Sequence, residues 1–192
     1  MNYKIHNMKN HTLAFVDLET TGLDPMNHEI IEIGIVLAKQ VDGSDGKRTL
    51  EVLSEHNIQL IPEHIENADP KGLEINKFHK RDWSKAVKQK TGLLQAVDIL
   101  KDTVFIAQNV GGDWAFLLKA GEDYQVSFEN VVHYHKLDLA SMAFGKLYHD
   151  PKLFKFSLRE LTEYFEVKNV DAHTALSDAR ATFEVCKKLL AN

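Results

Sequence analysis

Apolar and polar positions divide the first third of the chain into strand-like stretches. Residues 13–18, 30–38 and about 50–61 are rich in β-branched and aliphatic side chains, which is typical of strands. The stretch DGSDG at residues 42–46 has the composition of a turn. Because the connections between these stretches are short, we expect three strands that pair antiparallel.

The rest of the chain alternates between helical and strand-like patterns. Helix-start residues and helical spacing of apolar side chains predict helices from Pro70, around 87–100, around 113–120, at 138–148, from Ser157 through Tyr164, and from Thr174 to Leu190. Two short stretches, 103–107 and 131–135, predict strands between them, and this alternation indicates parallel strands with helical crossovers. The predicted fold is therefore α/β, with a mixed central sheet of about five strands, three antiparallel and two parallel, flanked by helices.

Composition narrows the class of protein. With 192 residues and 44% hydrophobic content, we expect one domain over residues 1–192. The single cysteine, Cys186, excludes a disulfide framework, and the N-terminal residues lack the apolar segment of a signal peptide, so we expect a cytoplasmic protein. No apolar run approaches the roughly 20 residues of a membrane span. The net charge of −5 argues against a general nucleic-acid coat, but not against an enzyme that grips one strand end.

The first predicted strand ends in two carboxylates, within FVDLETTGLD at residues 15–24. Asp17 and Glu19 are two positions apart, so their side chains leave the same face of the strand and can share one ligand. Such a pair suits a hard cation such as Mg²⁺. Taken alone, the pair is explained more simply as a solvated strand end.

Two later stretches carry further candidate residues. In AQNVGGDWAFLL, residues 107–118, Asp113 follows a glycine pair at the start of a predicted helix, where aspartate commonly caps free amides. In HTALSDARAT, residues 173–182, His173 precedes the last helix and Asp178 lies inside it. Considered singly, each of the three is typical of a capping, loop or solvated helix residue.

Together, the three motifs resemble the DEDDh 3′-to-5′ exonucleases of the ribonuclease H-like superfamily, over residues 12–190. The resemblance implies that Asp17, Glu19, Asp113 and Asp178 bind two divalent cations, Mg²⁺ or Mn²⁺, and that all four are catalytic together with His173. In the implied reaction His173 is the general base, since a neutral imidazole can accept a proton from a metal-bound water. Two positions depart from the family pattern, Gln108 and Gly112.

The same resemblance implies a substrate, the single-stranded 3′ end of DNA or RNA, from which nucleoside 5′-monophosphates are released. Thr20, Thr21 and Leu23 would contact the terminal nucleotide, and Phe116 offers a nearby apolar surface. Leu23 and Phe116 are also typical core residues. An alternative is a non-catalytic nucleic-acid-binding or polymerase-associated module of the same fold. The sequence does not separate DNA from RNA, and it specifies neither a partner protein nor an oligomeric state.

Three other features have simple alternatives. Residues 77–90 carry six Lys or Arg against one Asp, which suits either strand phosphates, with Phe78 or Trp83 stacking, or a solvated helix face. His133 and His135 would share a strand face, but they lack a third ligand, so we interpret them as ordinary strand residues rather than a zinc site. Asp138 is interpreted as the cap of the helix that follows it.

Overall fold

A six-stranded mixed sheet forms the centre of the molecule. The computed structural model describes residues 8–43 and 46–191. The strands are β1 (Leu13–Thr20), β2 (Ile30–Asp42), β3 (Arg48–Ile61), β4 (Val87–Lys88), β5 (Val104–Ala107) and β6 (Leu137–Asp138), in the order β4-β3-β2-β1-β5-β6. β1, β2 and β3 pair antiparallel, whereas β5 is parallel to β1 and to β6. The predicted fold class, with its antiparallel and parallel parts, is confirmed.

Six α-helices connect and cover the strands. They are α1 (Pro70–Ile75), α2 (Gln89–Leu100), α3 (Val110–Tyr124), α4 (Leu139–Leu147), α5 (Leu158–Tyr164) and α6 (Ala175–Ala191) among the described residues. Short 3₁₀ turns precede β1 and flank α1, at Met8–Asn10, Ile65–Asn67 and Phe78–Lys80. In the same part of the chain, no helix combines the length and apolar character needed to cross a membrane.

Two apolar layers hold the sheet between the helices. On one face, side chains of β1 and β2 such as Phe15 and Val36 pack against Phe183 and Cys186 of α6. On the other face, alternate residues of the same strands pack against α2 and α3. Because consecutive strand residues point to opposite faces, a nearly continuous apolar run can fill both layers.

Gly34 on β2 allows α6 to approach the sheet closely. A Cβ atom at this position would lie 2.2 Å from the carbonyl carbon of Ala175, the first residue of α6. Gly34 is paired with Asp17 across the β1–β2 ladder. The glycine therefore brings the beginning of α6 next to the acidic end of β1.

Two local predictions need correction. Residues 131–135 do not form a strand; the parallel pairing with β5 is made by Leu137 and Asp138 instead. In the predicted stretch, the Tyr134 ring stacks on that of His133 and lies tilted against that of His135. Residue 87 begins a short edge strand, β4, and the predicted helix starts two residues later. The turn predicted at 42–46 includes residues 44 and 45, which lie outside the described residues.

Candidate active site

Three carboxylates from distant parts of the chain meet at the end of β1. Asp17, Glu19 and Asp178 each offer an oxygen, and these atoms lie within 4.8 Å of one another. Asp17 and Glu19 lie two residues apart on β1 and so share one face of the strand, and Asp178 comes from the first turn of α6. The spacing along one strand and the close approach of α6 at Gly34 together produce this cluster.

Mutual repulsion and burial make the cluster electrostatically unfavourable in the absence of a cation. Burial, and then the charge of Asp113, raises the pKa of Asp17 well above its usual value. Burial and the charge of Asp178 raise the pKa of Glu19 to about 8, against the opposing effect of Arg81. A hard divalent cation removes this penalty, and carboxylate oxygens are its preferred ligands. The donor set therefore fits Mg²⁺ or Mn²⁺.

Asp113 stands beside this cluster, in the first turn of α3. Its Oδ1 accepts a hydrogen bond of 3.1 Å from the backbone amide of Leu18, which lies between the two β1 carboxylates. Burial raises the pKa of Asp113 to about 7, although the hydrogen bond from Leu18 opposes the shift. The structure thus fixes Asp113 to β1, but outside the group of three whose oxygens lie within 4.8 Å.

Asp138 holds the connection between β5 and α3, which positions Asp113 in the first turn of α3. Oδ2 of Asp138 accepts a hydrogen bond of 3.0 Å from the amide of Val110, the first residue of α3. Its Oδ1 accepts from the amide of Ser141 at 2.7 Å, which confirms the predicted cap of α4. Gly111 and Gly112 are exposed residues of the first helical turn, where a Cβ would meet no close contact. Asp138 therefore joins the starts of two helices.

The loop before α6 is bound to Asp178. The backbone amide of His173 donates to Oδ2 of Asp178 at 3.2 Å, and the side-chain amide of Asn169 donates to Oδ1 at 2.6 Å. The backbone of His173 is left-handed, with φ of 69°, and its side chain is exposed. Asn169 thus holds the carboxylate of Asp178, and this carboxylate in turn holds the backbone of the loop that carries His173.

A buried ion pair that the sequence analysis missed lies beside the cluster. Glu32 on β2 is fully buried, opposite Glu19 in the ladder, and forms an ion pair with Arg81. The other Glu32 oxygen accepts from the amide of Ala175 at 2.9 Å, at the first residue of α6. The available signal was a single charge within the apolar run IIEIGIVLA.

The predicted nucleotide contacts differ in accessibility. Leu23 is 91% exposed, so the alternative of a core position is excluded for it, whereas Phe116 is buried at 8% exposure. Thr21 is buried, and its hydroxyl accepts from the amide of Glu29 at 2.9 Å. The Thr20 hydroxyl donates to the carbonyl of Gly22 at 2.6 Å. Both threonines thus shape the segment that presents Leu23.

His133 and His135 lie away from this cluster. The amide of His135 donates to Nδ1 of His133 at 3.1 Å, and the two rings are 5.6 Å apart. Since residues 131–135 are not a strand, the two histidines do not share a strand face. Among the described residues, Asp17, Glu19 and Asp178 are the group whose ligand atoms converge closely enough to hold a metal ion.

Comparison with known proteins identifies the family of this chain. The family model described as "Exonuclease" matches residues 14–186. The chain therefore belongs to the exonuclease family, and the resemblance carried by the three motifs is confirmed.

Relatives and solved structures agree with this assignment. The chain is 32% identical over 174 residues to the PolC-type DNA polymerase III of Caldanaerobacter subterraneus subsp. tengcongensis, covering 91% of this chain and 11% of that protein. It is 30% identical over 171 residues to the 3′-5′ exonuclease DinG of Staphylococcus aureus, covering 89% of this chain and 17% of that protein. This chain thus corresponds to a small part of these relatives.

The fold matches that of exonuclease I. An E. coli exonuclease I complex with single-stranded DNA superimposes with a TM-score of 0.72 at 17% identity, over 93% of this chain and 40% of that one. The exonuclease I of Methylocaldum szegediense gives a TM-score of 0.72 at 14% identity, over 93% and 40%. At these identities the comparison establishes the ribonuclease H-like fold.

Proposed function

We propose that this chain is a divalent-metal-dependent 3′-to-5′ exonuclease that releases nucleoside 5′-monophosphates from single-stranded nucleic acid. The observation that carries the proposal is the convergence of Asp17, Glu19 and Asp178 within 4.8 Å at the end of a buried strand. Family membership and the 3′-5′ exonuclease DinG among its relatives support the direction of cleavage.

The four carboxylates would hold two divalent cations, either Mg²⁺ or Mn²⁺. Asp17, Glu19 and Asp178 are the central ligands in this proposal, and Asp113 serves from the side of α3. When bound, such ions neutralise charge on the reacting phosphate and lower the pKa of a coordinated water. The protein supplies the rigid placement of the ligands, because β1 is clamped between β2 and β5.

His173 is the proposed proton acceptor. Its side chain is exposed, and its backbone amide donates to Oδ2 of Asp178 at 3.2 Å. A proton released from the attacking water can pass to an imidazole there and then to solvent. The hydrogen bond from Asn169 to Asp178 fixes the carboxylate on which the loop depends.

Leu23 is the proposed apolar contact for the terminal base. Leu23 follows Glu19 by four residues and is 91% exposed, so it offers an apolar surface on which a base can pack. Thr20 and Thr21 act by holding the backbone of this segment, through their bonds to Gly22 and Glu29. Phe116 is a buried side chain of α3 that lines the same cavity as residues 25–30, which follow this segment in the chain.

DNA is the proposed first substrate, because the structurally similar exonuclease I is described in complex with single-stranded DNA. RNA is the alternative to be tested beside it. A non-catalytic binding module is disfavoured, because closely spaced carboxylates repel the phosphates that such a module must bind. The single-domain organisation and the cytoplasmic location remain predictions.

A time course on 5′-labelled single-stranded DNA and RNA of equal sequence tests the proposal. With Mn²⁺ or Mg²⁺, the wild type should produce a ladder that shortens from the 3′ end. Asp17→Asn should abolish the ladder, and His173→Ala should slow it by about 10²-fold or more, as expected for loss of a general base. A wild type that binds Mn²⁺ yet cleaves neither strand would refute the proposal.

A further inference from the structure

A strongly basic segment borders the acidic site. Residues 77–90, which we call the basic segment, contain six Lys or Arg and one Asp, a net charge of +5 in a chain of net charge −5. The remainder of the chain therefore carries a net charge of −10. This short stretch thus carries a net positive charge in an otherwise acidic chain, and its placement in the fold decides what it can bind.

The basic segment is attached to both sides of the active site. Asn76, immediately before it, donates from Nδ2 to the carbonyl of Thr20 at 3.0 Å and accepts at Oδ1 from the amide of Phe78 at 3.1 Å. Arg81 forms the ion pair with Glu32, which also accepts from the first amide of α6. These bonds hold the segment against the end of β1 and, through Glu32, against the helix that carries Asp178.

Aromatic residues give the segment a fixed shape. The indole of Trp83 donates to the carbonyl of Phe78 at 2.8 Å, and the two rings lie 4.7 Å apart. The guanidinium of Arg81 lies 4.9 Å from the Trp83 ring centre. The aromatic pair and Arg81 thus form the inner side of the turn, rather than free stacking surfaces.

The lysines of the segment form its outer side. Lys77, Lys80, Lys85, Lys88 and Lys90 are all exposed. Within the described part of the chain, none of these five forms an ion pair with a carboxylate, in contrast to lysines elsewhere such as Lys39 and Lys119. Their charges are therefore available to an external anion.

Lys77 occupies a backbone conformation that disfavours it. Its φ of 56° and ψ of 32° are left-handed, which costs a non-glycine residue roughly 1 kcal/mol. Its side chain makes no capping hydrogen bond that offsets this cost. Because glycine would adopt the same conformation without strain, folding alone does not explain a lysine here.

We propose that the exposed lysines of the basic segment, Lys77 and Lys80 first, bind backbone phosphates of the single strand on the 5′ side of the cleaved bond. The inference rests on the proposed function for the substrate class. An acidic centre repels a polyanion, and cationic contacts next to it offset this repulsion without crowding the reacting phosphate. The basic segment provides such contacts at a position fixed by Asn76 and Arg81.

Lys77→Gly separates this role from a structural one. The substitution removes the charge and also relieves the left-handed strain, so the melting temperature should be unchanged or higher. Gln125→Gly is the matched control, because Gln125 is exposed and has φ of 57° at the end of α3. Both variants lose a strained side chain, and only one loses a lysine of the basic segment.

Binding of a fluorescein-labelled 20-nucleotide strand, followed by anisotropy in EDTA, is the first readout. Lys77→Gly should weaken binding about threefold to tenfold at low salt, and Lys77→Gly/Lys80→Ala should weaken it further. The slope of log affinity against log salt should become shallower by about 0.7 for each lost contact. Gln125→Gly should bind as the wild type does.

Hydrolysis is the second readout, on the same strand and on the p-nitrophenyl ester of thymidine 5′-monophosphate. Lys77→Gly should lower kcat/KM on the strand and leave the small ester unchanged. Wild-type affinity in Lys77→Gly, or an equal loss on both substrates, would overturn the proposal. If the wild type binds the strand but cleaves nothing, the proposed function fails, while the anisotropy result still decides the role of the lysines.

Discussion

Glu32 and Arg81 show how one buried ion pair can order an acidic site. Glu32 has no exposed surface, and it accepts hydrogen bonds from Asn57 and from the amide of Ala175 in addition to its pairing with Arg81. A buried charge without its partner is strongly destabilising, because the desolvation cost is no longer offset. The pair therefore ties the basic segment and the start of α6 to β2.

Removing one member of this pair should cost more than removing both. Arg81→Met should lower the free energy of unfolding by about 3 kcal/mol, since Glu32 then remains buried and unpaired. Glu32→Gln/Arg81→Met should recover a large part of this loss, as measured by urea denaturation. A double variant whose loss equals the sum of the two single losses would show that the residues act independently.

Glu19 makes the stability of the folded chain depend on pH, and binding of a divalent cation should reverse this dependence. A carboxyl group whose pKa is higher in the folded chain binds more protons when folded, so stability falls as pH rises. The pKa of Glu19 is raised to about 8 and that of Asp113 to about 7. In EDTA, the wild type should therefore lose stability from the ordinary carboxyl pKa of about 4 up to about pH 8.

Thermal unfolding of Glu19→Gln isolates this effect. Relative to the wild type in EDTA, the variant should gain stability as the pH rises from about 5 to 8. Saturating Mn²⁺ at about 100 times its Kd should raise the wild-type melting temperature by about 5 to 10 °C, and the variant by less. Glu129→Gln, at an exposed position, is the control. If Mn²⁺ raised the melting temperature of Glu19→Gln by as much as that of the wild type, Glu19 would be excluded as a ligand.

Individual site residues were predictable to different degrees. The shared face of Asp17 and Glu19 follows from the two-residue period of a strand, and Asp178 required recognition of the complete motif set. The role of Arg81 was hidden because its partner lies 49 positions away in sequence, and periodicity carries no information about such a contact. For Leu23, predicted as a contact for the terminal nucleotide, general burial tendencies offered a core position as the alternative, and the structure excludes that alternative because the side chain is exposed.

At the scale of elements, the approach of α6 to β2 determines whether the carboxylates meet. This approach depends on Gly34, whose missing side chain leaves room for the backbone of Ala175. The glycine pair before Asp113 plays no comparable part, because a Cβ at Gly111 would have no neighbour within 4 Å and one at Gly112 would make only an ordinary contact, at 3.6 Å from the Asn109 side chain. Two kinds of glycine thus occur at the same site.

Alanine substitutions should distinguish the glycine that allows close packing, Gly34, from the exposed glycines of the first turn of α3. Gly34→Ala should lower the free energy of unfolding by about 2 kcal/mol or more, since backbone atoms must move apart. It should also reduce nuclease activity, because α6 carries Asp178. Gly111→Ala should raise the free energy of unfolding by about 0.5 to 1 kcal/mol and keep activity, since alanine is the better helix former. Urea denaturation measures the free energy of unfolding of each variant, and the gel assay measures its nuclease activity. A Gly34→Ala variant as stable and as active as the wild type would contradict the role given to Gly34.

Elements with a strong local pattern were predicted best. The helix after Asp138 and the last helix agree with the sequence analysis to within one or two residues. Residues 131–135 were misassigned because their composition is strand-like, while the partner strand β5 pairs instead with Leu137 and Asp138. Pairing partners are tertiary information, which a short apolar run does not contain.

At the scale of the whole molecule, charge is divided between an acidic centre and a basic segment. The overall charge of −5 argues against a general nucleic-acid coat, but it gives no indication of where the basic residues lie relative to the carboxylates. The fold places them side by side, through Asn76 and Arg81. Such an arrangement suits an enzyme that holds a strand near its end rather than along its length.

The polarity and the product of cleavage test the central claim most directly. A single-stranded DNA labelled on its 3′-terminal nucleotide is incubated with the wild type and Mn²⁺, and the first labelled product is identified by chromatography. A nucleoside 5′-monophosphate should appear first, and EDTA or Asp178→Asn should prevent its release. A labelled oligonucleotide or a nucleoside 3′-monophosphate as the first product would contradict the central claim.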